Sequence, residues 1–341
     1  MDTRDALDRE AQRFELPHDA FERQLRRRDR KQRNRRVSAV ALVIVLSALS
    51  VTGLVRAFGA AERPATVPTP TPADRGIFSG MGGWIAYADW DGIWAVDPDA
   101  QGVPSPVSLS SELGEPLEWS HDGSKLLIMR SGHSLSVLHA DGTETLVIDV
   151  GGGHGLSGGS FSPDGSQVVY ASSLLSGLGR DAIFVIGADG GSPHRLLSAG
   201  RRTGLYDPAF SPDGREIAYF DGLGDSSNSL RVMNADGSGS HIVLADNDVM
   251  GNGAGSKGIE WSPDGSLITF DFRALGIFVV RPDGSGFERL IRGNKPHWSP
   301  DGSRISYQQH DGPLRIAAAD GTFIRTIDIA RAGPWNPTGT P

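Results

Sequence analysis

The side chains able to do chemistry in this chain are few and widely spaced. Glu118, Glu260 and His297 each stand immediately before an aromatic residue of a recurring motif, a position filled elsewhere by Ser160, Ala209 and Pro334. Two carboxylates and an imidazole at one register position could hold a cation. Glu118 and Glu260 fall in distant copies of the motif, however, so their spacing does not by itself bring the side chains together. Asp164, Asp213, Asp264 and Asp301 recur inside the motif and invite a catalytic or calcium-binding reading. Each belongs to a separate copy and already has a tight turn to stabilise, which assigns them to structure. Asp89-Trp90-Asp91-Gly92 begins like an EF-hand loop but lacks the later acidic ligands and closing glutamate, and reads as a hairpin turn. The glycine-rich stretches GGGHGLSGG (151–159) and GNGAGSKG (251–258) lack the Lys-Ser/Thr ending of a phosphate loop and read as connections on a recognition rim.

Other chemistries are excluded by what the chain does not contain. There is no cysteine, hence no disulfide, thiolate nucleophile or thiolate metal site. No H-E-x-x-H helix occurs, and no two of the nine histidines are spaced as a zinc pair. The expectation is a protein without catalytic residues or cofactor, its only metal candidates being Glu118, Glu260 and His297.

Whatever these residues do, a repeat positions them. WSHDG at 119, FSPDG at 161 and 210, and WSPDG at 261 and 298 recur at spacings of 42, 49, 51 and 37 residues. Each leads into a short apolar run with the period of a half-buried strand. The letters follow from turn physics, with Ser accepting a hydrogen bond, Pro presetting φ, Asp tolerating the third position and Gly taking the left-handed conformation. A second motif runs in phase through the same units, VLHADG, VIGADG, VMNADG, VVRPDG and IAAADG, each closing another strand. Four strands per unit of 40 to 50 residues is the signature of a β-propeller blade. Residues 84–102 align with the middle strands of a further blade that has no hairpin before it, while GPWNPTG (333–339) looks like a decayed copy of the motif. A C-terminal strand completing blade 1 gives six blades, with five or seven as the alternatives. Trp119, Phe161, Phe210, Trp261, Trp298 and Trp335 then wedge between blades, and Asp122-Gly123, Asp164-Gly165, Asp213-Gly214, Asp264-Gly265 and Asp301-Gly302 close the hairpins.

These motifs resemble the TolB-like propeller family, whose repeat is the same aromatic-Ser-Pro-Asp-Gly hairpin followed by a strand and a second Asp-Gly turn. The resemblance covers about residues 81–339 and implies an all-β, six-bladed propeller used as an interaction platform. The whole chain also resembles actinobacterial membrane-anchored propeller proteins. By the same family logic, two glutamates and a histidine around a channel are what propeller lyases and lactonases use to bind a cation, which keeps an enzyme or small-molecule receptor as the alternative function.

The N-terminal quarter belongs to another environment. Residues 1–36 carry 12 basic and 8 acidic side chains, against 21 and 33 in the remainder. Residues 37–55 hold no charge, enough for a helix crossing most of a ~30 Å hydrocarbon core. The basic run at 26–36 puts the N-terminus in the cytoplasm and the propeller outside it. A cleaved signal peptide is the competing reading. Prolines at 64, 68, 70 and 72 mark residues 56–80 as an extended spacer, with the propeller over 81–341. The expected function is a non-catalytic, single-pass membrane protein whose propeller binds a protein or envelope component. The basic, partly helical tail would meet anionic lipid or a cytoplasmic partner and serve as an anchor or signalling segment; no nucleic-acid motif is present.

Overall fold

The computed structural model describes residues 76–341 apart from 101–104, 152–154, 173–180, 201–203, 223–227, 246–255, 273–274, 310–311, 330–332 and 338–341. The basic tail, the apolar span and most of the proline-rich spacer lie outside the described residues. Six antiparallel sheets follow one another along the chain. Blade 1 contains β1 (Ile85–Ala88), β2 (Ile93–Val96) and β3 (Val107–Ser110). Blade 2 is built from β4 (Glu115–Trp119), β5 (Lys125–Arg130), β6 (Ser134–His139) and β7 (Glu144–Asp149). In blade 3 these become β8 (Leu156–Phe161), β9 (Gln167–Ser172), β10 (Ala182–Gly187) and β11 (Gly190–Ser198). Blade 4 runs through β12 (Gly204–Phe210), β13 (Glu216–Gly222), β14 (Asn228–Asn234) and β15 (His241–Leu244). Blade 5 has β16 (Ser256–Trp261), β17 (Ile268–Phe272), β18 (Gly276–Val280) and β19 (Glu288–Ile291). Blade 6 ends the series with β20 (Asn294–Trp298), β21 (Arg304–Gln308), β22 (Leu314–Ala318) and β23 (Phe323–Ile327).

The first strand of blades 2 to 6 is innermost, and each such strand neighbours that of the next blade. Blade 1 lacks its own. The chain end supplies it, through an antiparallel bridge between Ile85 and Trp335 and main-chain bonds from Ala86 N to Pro334 O (2.9 Å) and from Asn336 N to Trp84 O (2.7 Å). The result is a six-bladed propeller of four-stranded type, closed at blade 1 by the C-terminal segment, which removes an open edge from the ring.

The motif hairpins all close the same way. In blade 2, Ser120 Oγ donates to Asp122 Oδ1 (2.7 Å) and accepts from Lys125 N (2.9 Å), while Asp122 Oδ1 accepts from Ser124 N (3.0 Å). Gly123 takes φ 66°, and its N–H donates to Ser120 O at 2.7 Å. The aspartate thus does more than tolerate its position, because it binds the turn's outgoing N–H. These turns and the second-motif turns lie on one face of the disc, the turn face; the connections between middle strands and between blades lie on the other, the loop face.

The core is a series of interblade layers. Trp119 packs with Ala86 and Ile93 of blade 1, Phe161 with Leu127 of blade 2, Phe210 with Val169 of blade 3 and Trp261 with Ala218 of blade 4. Trp335 packs with Leu314 and Ile316 of blade 6. Two indole N–H groups donate to main-chain carbonyls of the preceding innermost strand, Trp119 to Pro334 O and Trp261 to Ala209 O, both at 3.2 Å. Phe78, just ahead of the propeller boundary read from the sequence, is fully buried and meets the Trp119 ring edge-on at 4.7 Å.

Because Trp335 is 5% exposed and carries the ring closure, Trp335→Ala is expected to destabilise the propeller by about 3 kcal/mol or more. Urea unfolding followed by far-UV circular dichroism measures it; an unchanged midpoint would remove the C-terminal segment from the closure.

Candidate functional site

An innermost strand has a partner on one side only, so its other edge faces the lumen with main-chain groups that need partners. Register breaks shape that edge. In β4, β8, β12, β16 and β20 the pairing slips just before the motif aromatic, at Pro116/Glu118, Ser157/Ser160, Tyr206/Ala209, Lys257/Glu260 and Asn294/His297. Four of the bulges hold a residue with positive φ three positions before the aromatic: Gly158 (62°), Asp207 (47°), Gly258 (67°) and Lys295 (52°). At Gly158 a Cβ would lie 2.6 Å from Asp207 Cα, so the close approach of β8 and β12 requires glycine there.

Two levels of side chains line the lumen. At the deeper level stand the residues preceding each aromatic. Glu118 Oε2 accepts from Phe161 N at 2.6 Å, Ser160 Oγ from Phe210 N at 3.2 Å, and both Glu260 oxygens from Trp298 N at 3.2 Å. Each of these side chains therefore caps the lumen-facing N–H of the next blade's aromatic residue. His297 Nδ1 lies 3.5 Å from Glu260 Oε2.

A second level forms a belt at the mouth on the loop face. Ser157 Oγ donates to Asp207 Oδ1 (2.6 Å), and Gly258 N donates to Asp207 Oδ2 (3.3 Å), joining blades 3, 4 and 5. Lys295 N donates to Asp271 Oδ2 (2.7 Å), and Lys295 Nζ reaches Glu115 Oε1 (2.5 Å), carrying the belt from blade 5 through blade 6 to blade 2.

The electrostatics follow from enclosure. Burial pushes the Glu118 carboxyl up to about 7, against the hydrogen bonds from Phe161 and Ser160. Burial also holds Glu260 well above the carboxylate range, and the charge of Glu118 adds to it across the lumen. Burial and then the Lys295 ammonium lower His297 to about 4. The Glu260 side chain is still 31% exposed and that of His297 20%, so these groups line a channel that water reaches rather than a dry core. Their directions of shift are those of a lumen that disfavours charge.

The three residues singled out as metal candidates thus separate into a neighbouring pair, Glu260 and His297, and Glu118 in a distant blade. Among the described residues no group of three histidine, aspartate or glutamate side chains could hold a metal ion. The belt residues Glu115, Asp207, Asp271 and Lys295 escaped sequence reasoning. The one available signal is the column three places before the aromatic, which reads Gly, Asp, Gly, Lys in blades 3 to 6. At the DWDG turn, Asp89 Oδ1 accepts from Asp91 N, Gly92 N and Trp94 Nε1 at 2.8, 3.1 and 2.9 Å, which caps the hairpin. On the turn face a cleft of about 670 Å³ opens between blades 3 and 4, where Asp164, His194, Asp213 and Asp236 contribute. Ser162 beside Asp164 and Ser238 beside Asp236 hold those carboxyls below their usual range, because each is already engaged in folding its turn.

Fold and lumen together define a six-bladed β-propeller with a polar, hydrogen-bonded channel, and its likeness is to solved TolB structures. A putative TolB from Agrobacterium tumefaciens matches with a TM-score of 0.56 and 24% identity, over 69% of this chain and 91% of that one. TolB from Acinetobacter baumannii matches with a TM-score of 0.59 and 18% identity, over 76% and 67%. An oligogalacturonate lyase in complex with manganese gives 0.49 and 17% over 70% of each chain, a level that carries no argument about chemistry. At these identities the likeness is one of fold. No protein-family model and no curated protein matches the chain.

Glu118 keeps its proton more tightly when folded, so its contribution favours the fold at low pH and is lost as pH rises from 4.5 through about 7. His297 holds its proton less tightly when folded, so its contribution is complete above 6.5 and lost as pH falls toward about 4. Glu118→Gln is therefore expected to gain stability over the parent at pH 8 relative to pH 4.5, by about 1 kcal/mol because lumen water screens the charge. His297→Gln shifts the opposite way. Urea midpoints at the two pH values test both, and parallel changes in the two variants would contradict the assignment.

Proposed function

We propose that this protein is a non-catalytic, single-pass membrane protein whose extracytoplasmic propeller is a binding platform for a protein or envelope component. The observation carrying this reading is the belt at the channel mouth. Its polar side chains are fixed by bonds to main chain and to each other across blades, as in Asp207 between Ser157 and Gly258 and Lys295 between Asp271 and Glu115. Such a rim is preorganised for recognition, which lowers the ordering cost of association. The turn face repeats one chemistry around the ring, whereas the loop face differs from blade to blade. Support for the membrane placement comes from the uncharged stretch 37–55 and the basic run ahead of it. In this reading the tail anchors the chain at anionic lipid or reports to a cytoplasmic partner.

The enzyme alternative asks the channel to hold a catalytic cation. Glu118 and Glu260 instead engage their oxygens with the N–H groups of Phe161 and Trp298, and they come from blades 2 and 5. The lumen residues are better suited to capping strand edges than to gathering around an ion.

In-cell crosslinking and detergent co-purification of the full chain, compared with a chain lacking residues 1–36, tests the platform. A stoichiometric envelope partner retained by both, and reduced about tenfold by Lys295→Glu, is the expected outcome. A partner lost with the tail would move the function to the cytoplasmic side, and no partner from either chain would overturn the platform.

A further inference from the structure

The loop face carries a second feature, separate from the channel. At the hairpin between β1 and β2, Trp90 is 82% exposed, the most open large apolar side chain among the described residues. Leu113, in the connection from β3 to β4, is 62% exposed. The two project from the same edge. Ile93 at the start of β2 pairs with Ser110 at the end of β3, so Trp90 and Leu113 each lie three residues beyond that pair, toward the loop face.

Both are held by rigid supports. Asp89 Oδ1 accepts three N–H bonds within the Trp90 hairpin. Arg130 donates to Leu113 O at 2.8 Å and to Glu144 Oε1 at 2.8 Å, clamping the Leu113 loop to blade 2. Scattered exposed aliphatics need no explanation, but a tryptophan with its indole in solvent on a hydrogen-bonded support has the character of an interface anchor. Its surroundings are acidic: Asp91 is exposed beside it, Glu112 is 73% exposed beside Leu113, and Glu115 follows at the channel mouth. Arg130, the nearby cation, has a side chain only 12% exposed, is paired with Glu144 and lies 3.9 Å from Glu112, so it offsets part of this charge and leaves Asp91 as the open acid beside Trp90.

We propose that Trp90 and Leu113 form a docking surface for a basic, aliphatic segment of a partner protein. This rests on the platform reading above and names the part of the loop face that the partner touches. A Lys or Arg side chain of the partner lies over the Trp90 ring and pairs with Asp91 or Glu112, while an apolar side chain covers Leu113. Charge complementarity selects this occupant. An anionic lipid surface is repelled by Asp91 and Glu112, and a second copy is disfavoured because residues 37–341 carry 33 acidic against 21 basic side chains.

The test uses the full chain in its own membrane with a photoreactive phenylalanine analogue in place of Trp90, and separately in place of Lys295. The expected result is one protein adduct at position 90, whose crosslinked peptide carries net positive charge. That adduct falls at least about tenfold when Asp91→Lys and Glu112→Lys are introduced together, changes that leave the aromatic probe at position 90 and Leu113 in place. An adduct at position 295 with none at 90 would overturn this surface while leaving the platform intact, and no adduct at either would overturn both. A lipid adduct, a second copy of the chain, or a protein adduct at 90 indifferent to the charge reversals would also overturn it.

Discussion

A propeller closes its ring but leaves one strand edge per blade looking into the lumen, and the main-chain groups on those edges need partners there. Much of the chemistry in this channel follows from that requirement. Glu118, Ser160 and Glu260 each reach one blade onward to accept the N–H of Phe161, Phe210 and Trp298. The motif aromatic is thus held on two sides, by its ring in the preceding interblade layer and by its own N–H at the lumen. The register break before it turns the strand enough for both. Carboxylates that look like ligands in a list of residues are, in place, the connectors between adjacent blades.

The same constraint explains why the interblade layers differ. Most are apolar, with Phe220 and Phe270 meeting edge-on at 5.8 Å between blades 4 and 5 and Tyr170 stacked on Phe184 at 5.5 Å in blade 3. Between blades 5 and 6 the apolar cluster shrinks to Ile277, Tyr307 and Ala317 with Ile291 at its margin. There β17 presents buried Thr269 and Asp271 at positions where β13 has Ala218 and Phe220. Trp298 answers by donating its indole N–H to Thr269 Oγ1 at 2.8 Å, and Lys295 N donates to Asp271. This layer exchanges packing for directed hydrogen bonds, which fix relative blade position more sharply than apolar contact does.

How far this could be read from sequence depended on whether the determinant was local. The hairpins were legible because Ser120, Asp122 and Gly123 bond to one another and to Ser124 and Lys125, all within five residues. Blade number and closure were legible because the period exposes a missing first strand and a spare last one at Trp335. The roles of Glu118 and Glu260 were not, since their partners lie 43 and 38 residues away in another blade. Lys295 and Asp207 were hidden for a further reason. A left-handed bulge is usually announced by glycine, as at Gly158 and Gly258, and these two occupy it with charged side chains. The Trp90 hairpin was legible in Asp89-Trp90-Asp91-Gly92, but the exposure of its ring was not, because that depends on which neighbouring loops cover it.

A repeated scaffold also constrains where specificity can reside. On the turn face blades 2 to 6 must each present Ser, Asp and Gly to fold the motif hairpin, so variation there costs stability. On the loop face the connections carry no such duty, and the chain uses that freedom unevenly. Lys295 and Asp207 hold backbone conformations that cost a non-glycine residue roughly 1 kcal/mol or more, at positions where two neighbouring blades use glycine. Their side chains recover part of that cost by linking blades, Asp207 to Ser157 and Gly258 and Lys295 to Glu115. The Lys295–Glu115 pair is the weakest of these links, since both side chains are more than a third exposed, at 37% and 50%. It spans the mouth from blade 6 to blade 2, past the blade closed by the C-terminal segment. The belt is consequently firmest where main-chain N–H groups are its donors and most easily displaced at this one exposed ion pair. An incoming charged group would therefore meet least resistance between blades 6 and 2, beside the face that carries Leu113 and Trp90.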